Sequence, residues 1–377
     1  MSSAGGLSRR RVGGPSSSST SDDAPSPGWT PNGPSPNGTV ATHAGSAFEG
    51  GSKIACDPRD LDQVEEDSRY GGRMPRLTIM EEVLLLGLKD KHGYLSFWND
   101  SISYALRGCI LIELALRRRI ALVKDSGQRR SPLADRLVEV IDDKQTGETI
   151  LDEALKMMKG QESDRMSING WVDLLSGETW NVMKIGYQLK QVRERLAKGL
   201  VDKGVLRTEK RNFLLFDMAT HPVADVRTKD SIVTRAVSLL TATTSAVPPS
   251  ALDKEGTQCR VTRAVCLVCA AYAASVLDNA FGRLTYEDRE AAFQRCDEVL
   301  AEFACWPFGS TTAGSGSGGG RRREAVKIGM GNTAPSGRES VLGLVQEVKR
   351  EMNGEEDLGF QLIAGVLEVL SKLDSLL

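Results

Sequence analysis

Apolar residues recur at helical spacing from about residue 76 to the end of the chain. The segment RLTIMEEVLLLGL opens with Thr78 followed by Glu81, a capping box ahead of an apolar run, which predicts the start of a helix. Apolar spacing and end signals predict further helices over 101–118, 150–159, 168–175, 184–203, 260–281 and 286–304. The strongly apolar segment FQLIAGVLEVLSKLDSLL predicts a closing helix that packs back on the body. The pattern therefore predicts one mainly α-helical globular domain.

A single β element interrupts this pattern. The segment GVLRTEKRNFLLFD has two short apolar runs, Val205-Leu206 and 213–216, around a polar turn, which predicts a hairpin. Residues 124–147 are mixed in character and predict no element.

Composition divides the chain into four parts. Residues 1–74 are rich in Ser, Gly and Pro and are expected to be a disordered tail, in which Arg9, Arg10 and Arg11 have the form of a linear docking motif. Residues 75–308 form the predicted helical domain, 309–340 a flexible Gly/Ser/Arg-rich insert, and 341–377 a C-terminal helical segment.

Bulk properties narrow the function classes. The 377 residues carry a formal net charge of −2, which argues against nucleic acid as the main partner. Seven irregularly placed cysteines suit a reducing compartment. Cys266 and Cys269 lie in an apolar run, and with three histidines in the chain we expect no metal site and no cofactor. The longest uncharged apolar stretch, 264–277, is too short to span a bilayer, and familiar catalytic motifs are missing. We therefore expect a cytosolic, non-enzymatic protein whose membrane contact, if any, is peripheral.

Arg107 is unusual because it falls within an apolar helix. Its helical neighbours are Ser103, Tyr104, Ile110 and Leu111, so no carboxylate lies on the same helix face. A guanidinium is costly to bury unpaired. Arg107 must reach solvent, pair with a distant carboxylate, or receive an external anion.

A concentrated basic segment offers such an anion further partners. Residues 184–211 hold nine basic and three acidic residues, a net charge of +6 in a chain that totals −2. On the predicted helix 184–203, Lys190 and Arg193 lie on one flank of an apolar seam made by Ile185, Leu189, Val192, Leu196 and Leu200. A solvated basic face would explain the charge equally well.

Two hypotheses of different class remain open from the residues alone. In the first, a peripheral membrane protein binds an anionic lipid headgroup in a basic pocket, with Trp98 at the membrane interface rather than serving only as a hydrophobic staple. In the second, the basic helix and hairpin over 184–216 form a winged-helix-like nucleic-acid binder, although the hairpin is very apolar for a wing.

Long contiguous segments carry a resemblance. LTIMEEVLLLGLKDKHGYLSFWNDSISYALRGCILIELALRRRI, LLSGETWNVMKIGYQLKQVRERLAKGLVDKGVLRTEKRNFLLFDMATHP and AASVLDNAF closely resemble the Golgi phosphoprotein 3 family and its fungal vacuolar-sorting counterparts. The resemblance implies a central helical bundle ringed by amphipathic helices, with one β-hairpin. It also implies a peripheral adaptor on the cytosolic face of trans-Golgi membranes. Such an adaptor binds phosphatidylinositol 4-phosphate and links the cytosolic tails of glycosyltransferases to coatomer vesicles, for Golgi retention and retrograde transport.

The resemblance also implies roles for particular residues. The headgroup site falls on Trp98 in SFWND, Arg107 in LRGC, and Lys190 and Arg193 in LKQVRER. The hairpin, through Leu206, Phe213, Leu214 and Phe216, would mediate self-association into a homo-oligomer or membrane contact, and Arg9, Arg10 and Arg11 would contribute to coatomer binding. The insert 309–340 has no family equivalent, and residues 225–258 diverge.

Overall fold

The computed structural model describes residues 72–95, 101–124, 127, 131–177, 186–213, 216–310, 336–354 and 357–373; of residues 212–213, 216–218 and 336–337 it describes the backbone alone. The helices in these ranges are α1 Ile79–Gly87, α2 Ser101–Leu116, α3 Thr149–Gly160, α4 Ile168–Ser176, α5 Val192–Asp202, α6 Val226–Leu240, α7 Arg260–Ala273, α8 Tyr286–Phe303, α9 Ser336–Glu351 and α10 Leu358–Leu370. The strands are β1 Ile120–Leu122, β2 Val138–Val140, β3 Glu209–Phe213 and β4 Phe216–Thr220. The predicted mainly α-helical class is confirmed.

Three helices, α2, α7 and α10, form the centre of the fold. Almost every residue of each is buried, as expected for helices that are apolar on all sides. Helix α10 packs closely against α2 at Gly108, where a Cβ would lie 3.1 Å from Leu370 and 3.2 Å from Val366. The predicted packing of the closing helix on the body is confirmed.

Helices around this centre bury one face only. In α3 the buried residues are Ile150, Leu151, Ala154, Leu155 and Met158, a spacing that places them along one stripe. In α8 they include Ala292, Cys296, Val299 and Phe303. The polar residues between them face water, so these helices are amphipathic in the expected way.

Sequence signals for helix starts and core residues hold where they were strongest. Thr78 and Glu81 form both bonds of a capping box at α1, and the Thr285 side chain accepts from the Asp288 N–H at α8. Cys266 and Cys269 are fully buried within α7, where they pack as small apolar residues.

Several element boundaries differ from the prediction. Helix α5 begins at Val192, so the prediction of a helix from residue 184 is wrong for its described part, 186–191. Helix α7 ends at Ala273 because the chain turns left-handed at Ser275, and a short 3₁₀ helix follows over Leu277–Phe281. Helix α6 was not predicted. The C-terminal segment contains two helices, and the first begins at Ser336, within the range assigned to the insert.

The β structure consists of two antiparallel pairs instead of one. Strand β1 pairs with β2, a pair that the sequence did not predict, and β3 pairs with β4. The prediction of a strand at Val205-Leu206 is wrong. Leu206 is buried and forms an isolated bridge with Val223, so it belongs to the core below the hairpin.

Other predictions fall outside the described residues. These concern the tail through residue 71 with Arg9, Arg10 and Arg11, the residues Trp98 and Leu214, and the insert from 311 to 335. Within the part of the chain that the structure describes, no helix is both long and apolar enough to cross a membrane. In the same ranges, no three His, Cys, Asp or Glu side chains are grouped so that they could hold a metal ion.

Candidate functional site

Arg107 is buried in α2, with 5% of its surface exposed, and main-chain oxygens surround its guanidinium. Nη1 donates to the Ser103 carbonyl one turn earlier and to the Ser103 hydroxyl, both at 2.8 Å. Nε donates to the carbonyl of Leu175 at 3.3 Å, and Nη2 donates to the carbonyl of Leu189 at 2.9 Å. Three segments of the chain therefore converge on one guanidinium: α2, the end of α4 and the turn before α5.

This arrangement holds the Arg107 charge without neutralising it. Among the described residues, no carboxylate lies within ion-pair distance of Arg107, and its partners are carbonyl dipoles and a hydroxyl. Burial, and secondarily the nearby charge of Arg193, lowers the pKa of Arg107 to about 10. The side chain still carries its proton at neutral pH. The last carbonyls of α4 favour a cation because they form the negative end of the helix dipole.

Lys190 and Arg193 lie on the surface beside this buried cation. Lys190 follows directly after Leu189, whose carbonyl accepts from Arg107, and Arg193 is in the first turn of α5. Both side chains are exposed, and neither forms an ion pair with a described carboxylate. The structure thus brings Arg107, Lys190 and Arg193 together, although Lys190 lies in a turn and not on the helix that the sequence predicted.

The start of α5 adds positive potential at the same place. Gln191, the residue before the helix, makes no side-chain hydrogen bond to the first turn, so α5 begins without a side-chain cap. Uncapped N–H groups at a helix start favour an anion. We call Arg107, Lys190, Arg193 and the first turn of α5 the cationic site.

Other basic residues of the segment 184–211 are neutralised in the structure. Arg195 pairs with Glu153 of α3, and Lys203 pairs with Glu81 at 2.8 Å and with Glu148 at 2.7 Å. Arg207 pairs with Glu209 at 2.8 Å. The large net charge of the segment therefore overstates the free positive charge, which remains at the cationic site.

The hairpin of β3 and β4 lies further along the chain. Glu209 pairs with Thr220 at its base and Phe213 pairs with Phe216 beside the turn. Arg211 of β3 donates to His92 Nδ1 at 2.8 Å and to the Lys91 carbonyl, which ties the hairpin to the loop after α1. Of the predicted contact residues, Phe213 and Phe216 flank the turn, whereas Leu206 lies in the core.

Some groups of the site could not be found from residue types. The carbonyls of Leu175 and Leu189 hold Arg107, but any residue supplies a carbonyl. Ser103 had a usable signal, because it lies four residues before Arg107 on the same helix face. Sequence reasoning noted that position but assigned it no role.

Comparison with known proteins follows from this geometry. Residues 79–319 match the model of the family described as Golgi phosphoprotein 3 (GPP34). The chain belongs to the Golgi phosphoprotein 3 family. The matched range contains Arg107, Lys190 and Arg193, and it ends before α9 and α10.

Two curated relatives extend the likeness beyond the matched range. The chain is 50% identical over 376 residues to vacuolar protein sorting-associated protein 74 of Schizosaccharomyces pombe, which covers 99% of both proteins. It is 48% identical over 325 residues to the protein of the same name in Eremothecium gossypii, covering 86% of this chain and 90% of that one. The names of the Golgi phosphoprotein 3 family and of these relatives support a Golgi-associated function in protein sorting.

Proposed function

We propose that this protein is a non-enzymatic peripheral adaptor that binds phosphatidylinositol 4-phosphate on the cytosolic face of Golgi membranes. One observation carries the proposal: Arg107 is a buried cation, held only by neutral groups in the described structure, beside the exposed cations Lys190 and Arg193. A buried charge of this kind is stabilised when an anion binds to it.

The chemistry of the cationic site suits a phosphate monoester. Such a group carries between one and two negative charges at neutral pH and several acceptor oxygens. The guanidinium of Arg107, fixed by its carbonyl partners, presents donors at a set angle, while Lys190 acts as a mobile point charge. In this proposal Arg193 and the first N–H groups of α5 complete the contacts, and Trp98 lies beside the headgroup at the membrane surface.

The adaptor role requires contacts beyond the headgroup. A single lipid site rarely anchors a protein stably, so we propose that avidity comes from self-association or membrane contact through the hairpin at Phe213, Leu214 and Phe216. We further propose that the protein binds the cytosolic tails of glycosyltransferases, and that Arg9, Arg10 and Arg11 contribute to coatomer binding. The complex would then retain those enzymes in the Golgi by retrograde vesicle transport.

Liposome co-sedimentation tests the headgroup site. We expect the full chain to pellet with vesicles containing phosphatidylinositol 4-phosphate. Arg107→Ala, and separately Lys190→Ala with Arg193→Ala, should each weaken binding about tenfold or more, since each removes charge-assisted hydrogen bonds. Lys198→Ala is the matched control, because Lys198 is an exposed cation on the same helix, about 140° around its axis from Arg193. It should bind as wild type does.

Two further measurements protect the interpretation. Arg107→Ala leaves buried carbonyls without a donor and could act through folding, whereas the exposed pair Lys190 and Arg193 can be changed without this cost. If the double variant and Arg107→Ala both pellet like wild type, the site assignment is wrong. Salt-dependent binding of duplex DNA without binding to the vesicles would instead favour the winged-helix alternative. The burial of Leu189, Val192, Leu196 and Leu200 already leaves α5 little free surface for that role.

A further inference from the structure

The chain between Leu189 and Val192 is fixed at both ends. Leu189 is fully buried, its N–H donates to the Leu175 carbonyl at 3.1 Å, and its own carbonyl accepts from Arg107. Val192 is buried at the start of α5, and the Gln191 carbonyl accepts from the Arg195 N–H at 2.9 Å to begin the helix. The two intervening residues, Lys190 and Gln191, must therefore make the turn.

Gln191 makes this turn in a left-handed conformation, with φ 53° and ψ 36°. This region is disfavoured for residues that have a Cβ, and glycine is the usual occupant. The Gln191 side chain is exposed and forms no hydrogen bond within the described structure, so side-chain contacts do not explain the conformation. Backbone strain of this kind persists where the surrounding structure demands it, and it is concentrated at functional sites.

We propose that Gln191 is a positioning residue for the cationic site. Its left-handed turn directs the Leu189 carbonyl to Arg107 while starting α5 so that Arg193 lies beside the same guanidinium. The role depends on the backbone of Gln191 and not on its amide group. This inference rests on the proposed function, because it assigns the purpose of the turn to headgroup binding.

Loss of the left-handed turn would disturb the site in either of two ways. If Leu189 moves out of place, Arg107 loses one of its carbonyl partners and Lys190 shifts with the chain. If Leu189 stays, the first turn of α5 must unwind, and Arg193 and the free N–H groups of that turn are displaced. Both routes lower headgroup affinity although every charged side chain remains.

The chain offers a matched control for this experiment. Ser275, after the end of α7, has φ 54° and is also exposed, so it shares the backbone geometry of Gln191 in another part of the fold. We would measure binding of Gln191→Val, Gln191→Gly, Ser275→Val and Ser275→Gly to vesicles containing phosphatidylinositol 4-phosphate, together with the Tm of each full-length variant. Valine is β-branched and adopts positive φ very rarely, whereas glycine adopts it readily.

The expected results separate positioning from general stability. Gln191→Val should lower affinity about tenfold, while Ser275→Val lowers Tm to a similar extent but leaves affinity within about twofold of wild type. Gln191→Gly should retain wild-type affinity, since it keeps the turn and removes the amide. The inference is overturned if Gln191→Val binds no worse than Ser275→Val, or if Gln191→Gly loses as much affinity as Gln191→Val.

A second readout distinguishes failure of this inference from failure of the proposed function. Hydrogen exchange at the Leu189 amide reports its bond to Leu175 without any lipid. If exchange there rises in Gln191→Val and not in Ser275→Val, the turn positions Leu189 as inferred. If it rises in that way while Arg107→Ala binds the vesicles like wild type, the turn is correct and the headgroup assignment is wrong. Unchanged exchange at Leu189 in Gln191→Val overturns the positioning role itself.

Discussion

Replacing Glu113 by glutamine should destabilise the protein strongly, because its carboxylate is the centre of a buried charge cluster. Glu113 lies in α2 with no exposed surface. It accepts from Arg263 Nη1 at 2.7 Å, from Arg117 Nε at 3.3 Å and from the Ile79 N–H at 2.8 Å. The cluster joins α2 to α7 and to the start of α1. Glu113→Gln keeps the volume of the side chain but leaves two nearly buried guanidinium groups without their anion.

The magnitude follows from the pKa of Glu113. Burial alone would raise this pKa, but Arg263 and Arg117 outweigh burial and lower it from 4.5 to about 2. At 1.36 kcal/mol for each pKa unit, this difference corresponds to about 3 kcal/mol of stability. Breaking a buried ion pair costs about 3–5 kcal/mol in other proteins, which is the same range. Because the pKa is lowered on folding, this stability is present above pH 4.5 and is lost as the pH falls towards 2.

Urea denaturation at pH 7 measures the effect, with Glu162→Gln as a control. Glu162 pairs with Lys159 at 3.0 Å, but both side chains are about half exposed, so its loss should change the free energy of unfolding by less than about 0.5 kcal/mol. The stability difference between wild type and Glu113→Gln should shrink as the pH falls below 4.5. A loss below about 1 kcal/mol at pH 7, or a difference independent of pH, would refute the reasoning.

Two other perturbations have expected outcomes. Glu82 pairs with Arg235, yet burial outweighs that pairing and raises the pKa of Glu82 from 4.5 to about 7. An acid with a raised pKa loses stability as it ionises, so wild type should lose about 3 kcal/mol relative to Glu82→Gln between pH 4.5 and 8, measured by urea denaturation; an unchanged difference would contradict this. At Gly93, with φ +66°, a Cβ would lie 2.2 Å from the His221 carbonyl carbon, whereas Gly147, with φ +80°, has open space. Gly93→Ala should therefore destabilise by about 2 kcal/mol more than Gly147→Ala in thermal unfolding, and equal losses would show that the backbone there moves aside.

Helices that bury a continuous apolar stripe could be predicted from the sequence, and those with buried charges could not. Helix α3 has its stripe uninterrupted, and its predicted range, 150–159, differs from the observed one by a residue at each end. Helix α6 places Lys229 and Arg235 on its buried side, where they bind the Leu88 carbonyl and Glu82. These cations interrupt the apolar pattern, so the helix was not recognised. Strands β1 and β2 have three residues each, too few for a periodic signal.

At the cationic site, residue types were more informative than geometry. The sequence marked Arg107 as an unusual buried cation and Lys190 and Arg193 as neighbours of an apolar seam, and the structure brings the three together. The geometry of the turn was predicted wrongly because Leu189 and Val192 are three residues apart, a spacing that a continuous helix and the observed left-handed turn both satisfy. Periodicity records which side chains are buried, and it cannot distinguish two backbone paths that bury the same ones.

Helix α10 has a practical consequence for work on protein fragments. The family match ends at residue 319, yet α10 fills the space beside α2, and Asp357 at its start pairs with Arg118 at 2.7 Å. From α9, Glu351 accepts from the N–H groups of Val261 and Thr262 and so caps α7 from outside. A recombinant fragment cut at the end of the family match would expose the apolar surface of α2 and leave the start of α7 uncapped. Soluble fragments for lipid-binding or crystallisation experiments should therefore extend through residue 373.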